Sequence, residues 1–241
     1  MRDPEPGEGG AVKPAARVSA IVPMLNEQES IAATLRALRS GAPRAEIIVA
    51  DGGSSDRSRE AARGLCDILI QAPRGRARQM NAGAAAAVGD VLAFVHADTL
   101  VPSTFAADIE AVMADPAVVG GRFDVLLDVP GLAYRIIGML ISVRSRLSRT
   151  ATGDQAIFVR RRVFEDLGGF PEIDICEDLD FSRRLKRVGS VACLRSRVTT
   201  SARRWQRGGL ARTVLRMWSI RLLYLAGVSP ARLRRWYADV R

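Results

Sequence analysis

The sequence predicts an α/β fold: a mostly parallel central sheet flanked by helices, with a basic helical C-terminal part. Three observations carry the prediction. Short β-prone runs alternate with helical runs four times in the first half, at intervals of about 20 to 25 residues, the rhythm of strand–helix–strand crossovers. Acidic or turn residues close these runs, where open parallel sheets present ligand-binding loops. With 241 residues, 48% of them apolar, the chain can bury a real core.

The elements follow in order. Asp3, Glu5 and Glu8 among Pro and Gly lack the basic start and apolar centre of a secretory leader, so residues 1–16 read as a loose tail. Val18 to Val22 is a strand stopped by Pro23, and Glu27 to Arg39 carries Ile31, Leu35 and Leu38 at helical spacing. Gly41 and Pro43 break that helix. Glu46 to Ala50 is the second strand, and Asp51 to Asp56 is a turn from which Ser54 or Ser55 can cap a helix over Arg57 to Arg63. A third strand, Asp67 to Gln71, leads to an Ala-rich helix over Arg76 to Val88. Val91 to Asp98 is an apolar fourth strand that carries His96 and Asp98 to its carboxyl end. Then come a helix over Pro102 to Ala114, a strand over Val118 to Val125, and an arginine-bearing helix over Leu132 to Arg149. A strand over Ala156 to Val159, the Gly168 to Pro171 turn, a helix over Glu177 to Val188, a strand over Val191 to Leu194 and a basic helical stretch from about Gly209 complete the chain.

Charge is unevenly spread. Residues 1–120 hold 12 Lys+Arg against 15 Asp+Glu (net −3), which leaves 24 against 11 (net +13) for residues 121–241, out of a total of +10. Such a half suits nucleic acid, an anionic membrane surface, a phosphorylated substrate or plain solvent. Aromatic residues are not interleaved with the arginines as a base-stacking platform requires, so no nucleic-acid partner is expected. Arg135 interrupts Leu132 to Val143, and Arg216 and Arg221 interrupt Val214 to Val228, so no spanning helix is expected. The arginine-rich helices Leu132 to Arg149 and Gly209 to Leu225 read either as interfacial helices in peripheral contact with a membrane or as helices buried against the rest of the chain. Cys66, Cys176 and Cys193 are odd in number and lack metal-site spacing; they read as reduced thiols of a cytoplasmic protein, which membrane contact would bring to the inner face of the membrane.

Four features fall at strand ends: Pro23 to Glu27, Asp51 to Asp56, His96 to Asp98, and Cys176 to Asp178. A parallel sheet brings the first three to one rim. Asp51 is a carboxylate at a strand tip, followed by Gly52 and Gly53, which let backbone approach a ligand; a helix-capping turn is the plainer reading. His96 and Asp98, two residues apart on an extended segment, project to one side and can reach one divalent cation. A lone histidine equally reads as a hydrogen-bonded rim residue. Glu177 and Asp178 form an acidic first turn that the helix dipole favours on its own.

In this order, these residues resemble glycosyltransferase family 2, whose members have the GT-A fold and transfer sugars from nucleoside diphosphates with inversion. The resemblance runs from about Ser19 to Trp205. Ile21-Val-Pro-Met-Leu-Asn-Glu27 is similar to the family's opening P-x-x-N-E segment and Asp51-Gly-Gly-Ser-Ser-Asp56 to its D-G-S-x-D turn. These imply donor contacts from Pro23, Asn26, Glu27, Asp51 and Gly53. Gly75-Arg-Ala-Arg-Gln-Met-Asn-Ala-Gly83 is similar to G-x-x-x-A-x-N-x-G and implies that Arg76 or Arg78 faces the base or diphosphate. His96-Ala-Asp98 stands where the family has D-x-D. That implies a site for Mn2+ or Mg2+ at Asp98, with His96 replacing an acid.

Cys176-Glu-Asp178 resembles T-E-D, which implies Asp178 as general base beside Glu177. Ser201-Ala-Arg-Arg-Trp205 resembles a reduced Q-x-x-R-W, which implies Arg204 and Trp205 near the acceptor and leaving diphosphate. Asp154 and Gln155 read either as acceptor contacts or as an ordinary turn, and Trp205 either stacks on a sugar or packs in the core. Arg76 to Gly83, His96 to Thr99 and Gly153 to Gln155 also resemble a small bacterial subgroup described as arsenosugar-type or radical-SAM-associated.

The implied organisation is a catalytic domain over 17–205, with a nucleotide-binding half (17–100) and an acceptor half (101–205), followed by a basic extension over 206–241 packed on it. The implied partners are a nucleotide-sugar donor, most readily a UDP-sugar, and a small-molecule or lipid-linked hydroxyl acceptor. A nucleotidyltransferase on the same fold and a basic nucleic-acid-binding protein are the alternatives.

Overall fold

The computed structural model describes residues 17–235. The expected tail over 1–16 and the end of the extension, 236–241, lie outside the described residues. Strands β1 (Val18–Met24), β2 (Glu46–Asp51), β3 (Ile68–Gln71) and β4 (Val91–Phe94) lie in the order β3-β2-β1-β4, all parallel. Helices α1 (Ile31–Gly41), α2 (Ser58–Ala62) and α3 (Arg76–Ala86) make the crossovers. The predicted rhythm of the first half is therefore the observed one.

Beyond β4 the sheet becomes mixed. β5 (Thr99–Leu100) and α4 (Phe105–Met113) lead to β6 (Val118–Leu127), and α5 (Leu132–Ser148) leads to β7 (Ile157–Arg160), which pairs antiparallel with both β4 and β6. α6 (Arg161–Asp166) and α7 (Glu177–Val188) precede β8 (Ser190–Thr200), which runs parallel to β6 and antiparallel to β5 at the far edge. Helices α8 (Arg203–Gly208), α9 (Leu210–Leu225) and α10 (Pro230–Arg234) end the described chain. No helix among the described residues is long and apolar enough to cross a membrane.

Side-chain alternation explains the layers. Ala20 and Val22 of β1 face α1 and α4 through Leu35, Leu38 and Phe105, while Ile21 between them faces α3 through Met80 and Ala84. Under the end of β4, Phe94 meets Phe170 at 4.8 Å and Phe170 meets Phe181 at 4.6 Å between ring centroids. This aromatic cluster ties the turn at 168–171 and the start of α7 to the carboxyl end of β4.

Several expected boundaries move. β1 runs through Pro23: Ile21 O accepts from Val95 N and Met24 O from Gly52 N, so alternation turns the proline toward β4, whose pairing has already ended at Phe94. Neither Ser54 nor Ser55 caps α2; Asp56 Oδ1 accepts from Ser58 N at 3.0 Å instead. α6 was not expected, β8 continues six residues past Leu194, and helix resumes at Arg203 rather than Gly209. The strand expected over Val91 to Asp98 ends at Phe94, and Thr99 N donates to His96 O at 3.1 Å in a turn. His96 and Asp98 therefore do not share one side of an extended segment.

Candidate active site

The loops after β1 and β2 interlock at the sheet's carboxyl rim. Asn26, held at φ 54°, accepts a bond from Ser55 N on Oδ1 at 2.8 Å, and its own N–H donates to Ser54 Oγ at 3.0 Å. Glu27 N donates to Ser58 Oγ at 2.6 Å. Gln79, buried on α3, donates from Nε2 to Met24 O at 2.7 Å and Ala50 O at 2.9 Å, which staples the two strand ends together. Gly83 on the same helix packs so closely on Ile21 that a Cβ there would collide with Ile21 Cγ2. Asp51 is wholly buried: Oδ1 accepts from Ser54 N and Oγ, and Oδ2 from Arg59 Nη1 at 2.9 Å. Of this loop, Gly53 is the expected contact that borders open space.

Arg203, next to the Arg204 that the resemblance singles out, joins the first rim loop to the β4 loop. Its Nη2 lies 2.6 Å from Glu27 Oε2 and 3.1 Å from Asp98 Oδ2. Ser201 Oγ accepts from both Arg203 N and Nε at 3.2 Å and fixes the guanidinium. The serine that stands in place of the family's glutamine thus orients the next arginine. The only sequence signal for Arg203 was its place beside Arg204.

On the other side of the β4 loop, Asp178 sits in the first turn of α7. Its Oδ2 accepts from Gly153 N at 2.7 Å and its Oδ1 from Leu179 N at 2.7 Å, which hold the carboxylate in place. The His96 ring lies against Gly153 so closely that a Cβ there would overlap Nε2, and the same Cβ would come 3.7 Å from Asp178 Oδ2. A side chain at position 153 would make the imidazole give way. His96 therefore contacts the turn that holds Asp178, while Asp98, two residues on, faces Arg203.

The 3-10 turn Gly153–Gln155 is built from within. Gln155 is 0% exposed, accepts from Thr152 N at 3.2 Å on Oε1 and donates to Phe123 O at 3.3 Å from Nε2. It is not placed to meet an acceptor, because its amide is spent on the turn. Trp205 is buried against Leu127, Ile137 and Ala202, which fits the packing reading rather than sugar stacking. Arg78 makes an exposed pair with Glu172, whereas Arg76 reaches the buried Glu177 at 3.1 Å. Of the two arginines proposed for α3, Arg76 joins the rim.

The electrostatics are strongly perturbed. Burial pushes the Glu177 carboxyl above its usual range, with Arg76 pulling it back and Asp178 pushing it further. Burial also raises Asp154, against the Thr152 hydroxyl and Arg144; Arg204 acts on it more weakly. Asp154 Oδ1 is a buried atom with no hydrogen-bond partner. Burial, then the nearby carboxylates Asp178 and Glu177, push the Cys176 thiol up to about 12, which disfavours its thiolate form. Burial lowers Arg144, against the pull of Asp154 and Asp178, and burial followed by the nearby Arg144 brings Arg221 down to about 10, with Asp178 acting the other way. Arg221, from α9, donates to Thr150 Oγ1 at 2.7 Å and was not foreseen as a site residue.

Strain marks the same region. Among the described residues, the non-glycine positions at positive φ are Asn26, Arg149, Ala156 and Cys176. Asn26 lies in the β1 loop, Arg149 and Ala156 bracket the turn that holds Asp178, and Cys176 precedes the acidic pair. Backbone in costly conformations is characteristically retained at working sites.

The donor set fits a divalent ion only as a shared ligand. Among the described residues no three His, Cys, Asp or Glu side chains converge on one point. Asp98, at the rim and partly exposed, offers one hard carboxylate, which suits an ion that completes its shell with substrate phosphate oxygens. The His96 ring lies against Gly153, on the turn that holds Asp178.

A model of glycosyl transferase family 2 matches residues 19–168. The chain belongs to glycosyltransferase family 2. Solved structures share its GT-A fold at low identity. A Pyrobaculum calidifontis mannosyltransferase in complex with GDP-mannose and Mn2+ has a TM-score of 0.65 and 19% identity, over 90% of this chain and 66% of that one. S. aureus TarS 1–349 in complex with UDP-GlcNAc has a TM-score of 0.59 and 19% identity, over 77% of this chain and 58% of that one. The family 2 chain described here thus spans less than two thirds of the length of these relatives. A search of curated proteins finds no significant match.

Proposed function

We propose that this family 2 chain transfers a sugar from a nucleoside-diphosphate sugar, most readily a UDP-sugar, to a hydroxyl acceptor with inversion at the anomeric carbon. One observation carries the reading: His96, on the loop that bears Asp98, packs on Gly153, whose N–H holds Asp178. This contact brings the loop of Asp98 next to the turn that holds Asp178, which supports a diphosphate at the one and a proton acceptor at the other. In the step proposed, Asp178 takes the acceptor hydroxyl proton, the acceptor oxygen bonds to the anomeric carbon, and the bond from that carbon to the β-phosphate oxygen breaks. Direct displacement inverts the centre.

Arg203, Arg76, Arg144 and Arg221 supply positive charge around this path and would offset charge on the departing nucleoside diphosphate. A divalent ion, Mn2+ or Mg2+, would be held by Asp98 with the diphosphate and would act as a Lewis acid on the leaving oxygen. The complexes of the two structural relatives, one with GDP-mannose and Mn2+ and one with UDP-GlcNAc, support the donor class.

The test is Asp178→Asn. It should lower turnover by about 10²- to 10⁴-fold, the usual worth of a positioned base, while UDP-dependent thermal stabilisation stays as in the parent. Unchanged turnover would remove Asp178 from the mechanism. Release of pyrophosphate in place of a nucleoside diphosphate would assign nucleotidyl transfer instead.

A further inference from the structure

Helices α5 and α9 pack side by side: Tyr134, Ile137 and Ile141 of one and Leu210, Val214 and Met217 of the other share a cluster with Trp205. One face of each is thus accounted for. The opposite faces are apolar as well. Leu132 and Leu147 on α5 are 72% and 83% exposed, with Leu140 between them, and Leu215 (69%), Trp218 and Leu222 run along α9 at i, i+3 and i+7. Residues at these spacings form one stripe per helix, and large apolar side chains in such stripes mark an interaction surface.

The charges beside the stripes point to the partner. From Val129 through Gly153, and from Phe181 through Arg235, the chain carries no Asp or Glu. Arg135 and Arg149 on or after α5, and Arg212 on α9, are exposed. An apolar stripe flanked by arginines, with no acid in either stretch, fits the boundary between acyl chains and anionic headgroups. A second copy of the chain would set arginine against arginine with no acid from these segments to pair them. Nucleic acid would use the arginines but gain nothing from the exposed leucines.

We propose that the outer faces of α5 and α9 dock this protein on an anionic lipid surface. The same two helices carry Arg144 and Arg221 inward, to Thr152 and Thr150 in the segment that leads into the turn holding Asp178. The inference stands apart from the glycosyl-transfer reading and can fail without it.

The experiment is co-sedimentation of the full chain with vesicles of equimolar phosphatidylglycerol and phosphatidylcholine, and with phosphatidylcholine alone. The parent should bind the anionic vesicles at low salt, with a blue shift of fluorescence that Trp218→Phe removes. The double variant Leu140→Glu/Leu222→Glu changes exposed positions only; it should keep the parent's thermal melt and lose binding by about tenfold or more. Arg135→Gln/Arg212→Gln should reduce the preference for anionic vesicles. Failure of the parent to bind anionic vesicles at low salt overturns the proposal. So does full binding by the Leu140→Glu/Leu222→Glu variant, which would mean that charge alone attracts the protein. A parent dimer that the same variant splits, without vesicle binding, assigns the faces to a second copy.

Discussion

Arg203 and Asp98 are ion-paired at 3.1 Å across 105 positions of sequence, and this contact closes the rim where a donor diphosphate is proposed to lie. The pair is partly exposed and shared with Glu27, so its direct worth to stability is about 0.2 to 1 kcal/mol. Its larger effect is on what else Asp98 can hold.

Arg203→Gln removes the cation that pairs with Asp98 and that would compete with the proposed metal ion for its carboxylate. UDP binding without metal should weaken, while the Mn2+ concentration giving half the UDP-dependent thermal shift should fall by about tenfold, equivalent to about 1.4 kcal/mol. Mn2+ titration by thermal shift reads this directly, and an unaltered midpoint would separate Arg203 from the ion.

Arg76→Met strips the buried Glu177 of its partner. At neutral pH the variant should lose on the order of 3 kcal/mol, as expected when one member of a buried pair is removed. The sign with pH follows from the raised carboxyl. In the folded protein Glu177 holds its proton above the ordinary value of 4.5, so its contribution to stability is full below that value and is lost as pH rises through the folded pKa. Removing Arg76 takes away the influence that lowers it, and the melting deficit should therefore narrow as the pH is brought down toward 4.5. Melting curves across that range decide the point.

Gly153→Ala forces a methyl group into the His96 ring. The cost should be about 1 to 3 kcal/mol, with lost activity because the turn that holds Asp178 must shift. His96→Ala should recover much of that stability in the double variant and, alone, should leave Mn2+ affinity near the parent's. A large loss of Mn2+ affinity in His96→Ala would make the histidine a ligand.

Gln155→Ala leaves Thr152 N without its acceptor and Phe123 O without its donor, for about 1 to 3 kcal/mol. Because the donor rim is untouched, kcat should fall with little change in the donor KM. Steady-state kinetics distinguish this from an acceptor-contact role, which would raise the acceptor KM.

The short phrases that single out the sequence turn out to describe scaffold as much as chemistry. In the segment from Arg76 to Gly83, Gln79 staples the ends of β1 and β2, Asn81 exchanges two bonds of 2.9 Å with the backbone of Phe170, and Gly83 admits Ile21. In the segment from Gly153 to Gln155, the glycine admits His96 and the glutamine closes its own turn. Such residues were legible as a pattern. Their partners were not, because those partners lie far away in sequence.

What the sequence determined by itself is local or periodic. The four strands and three crossover helices of the first half follow from apolar spacing and from breakers such as Gly41, Pro43 and Gly75, and the α7 boundaries from an acidic start and a basic end. The motif order was also enough to indicate glycosyltransferase family 2. Only the tertiary structure decided that the sheet turns mixed at β7, that the His96 ring packs on Gly153, that Arg203 pairs with Asp98, and that Arg221 of α9 enters the site. The physical reason is common to all four. Strand direction, ring packing and ion pairing between distant segments depend on where the chain returns in space, and residue spacing carries no record of that return.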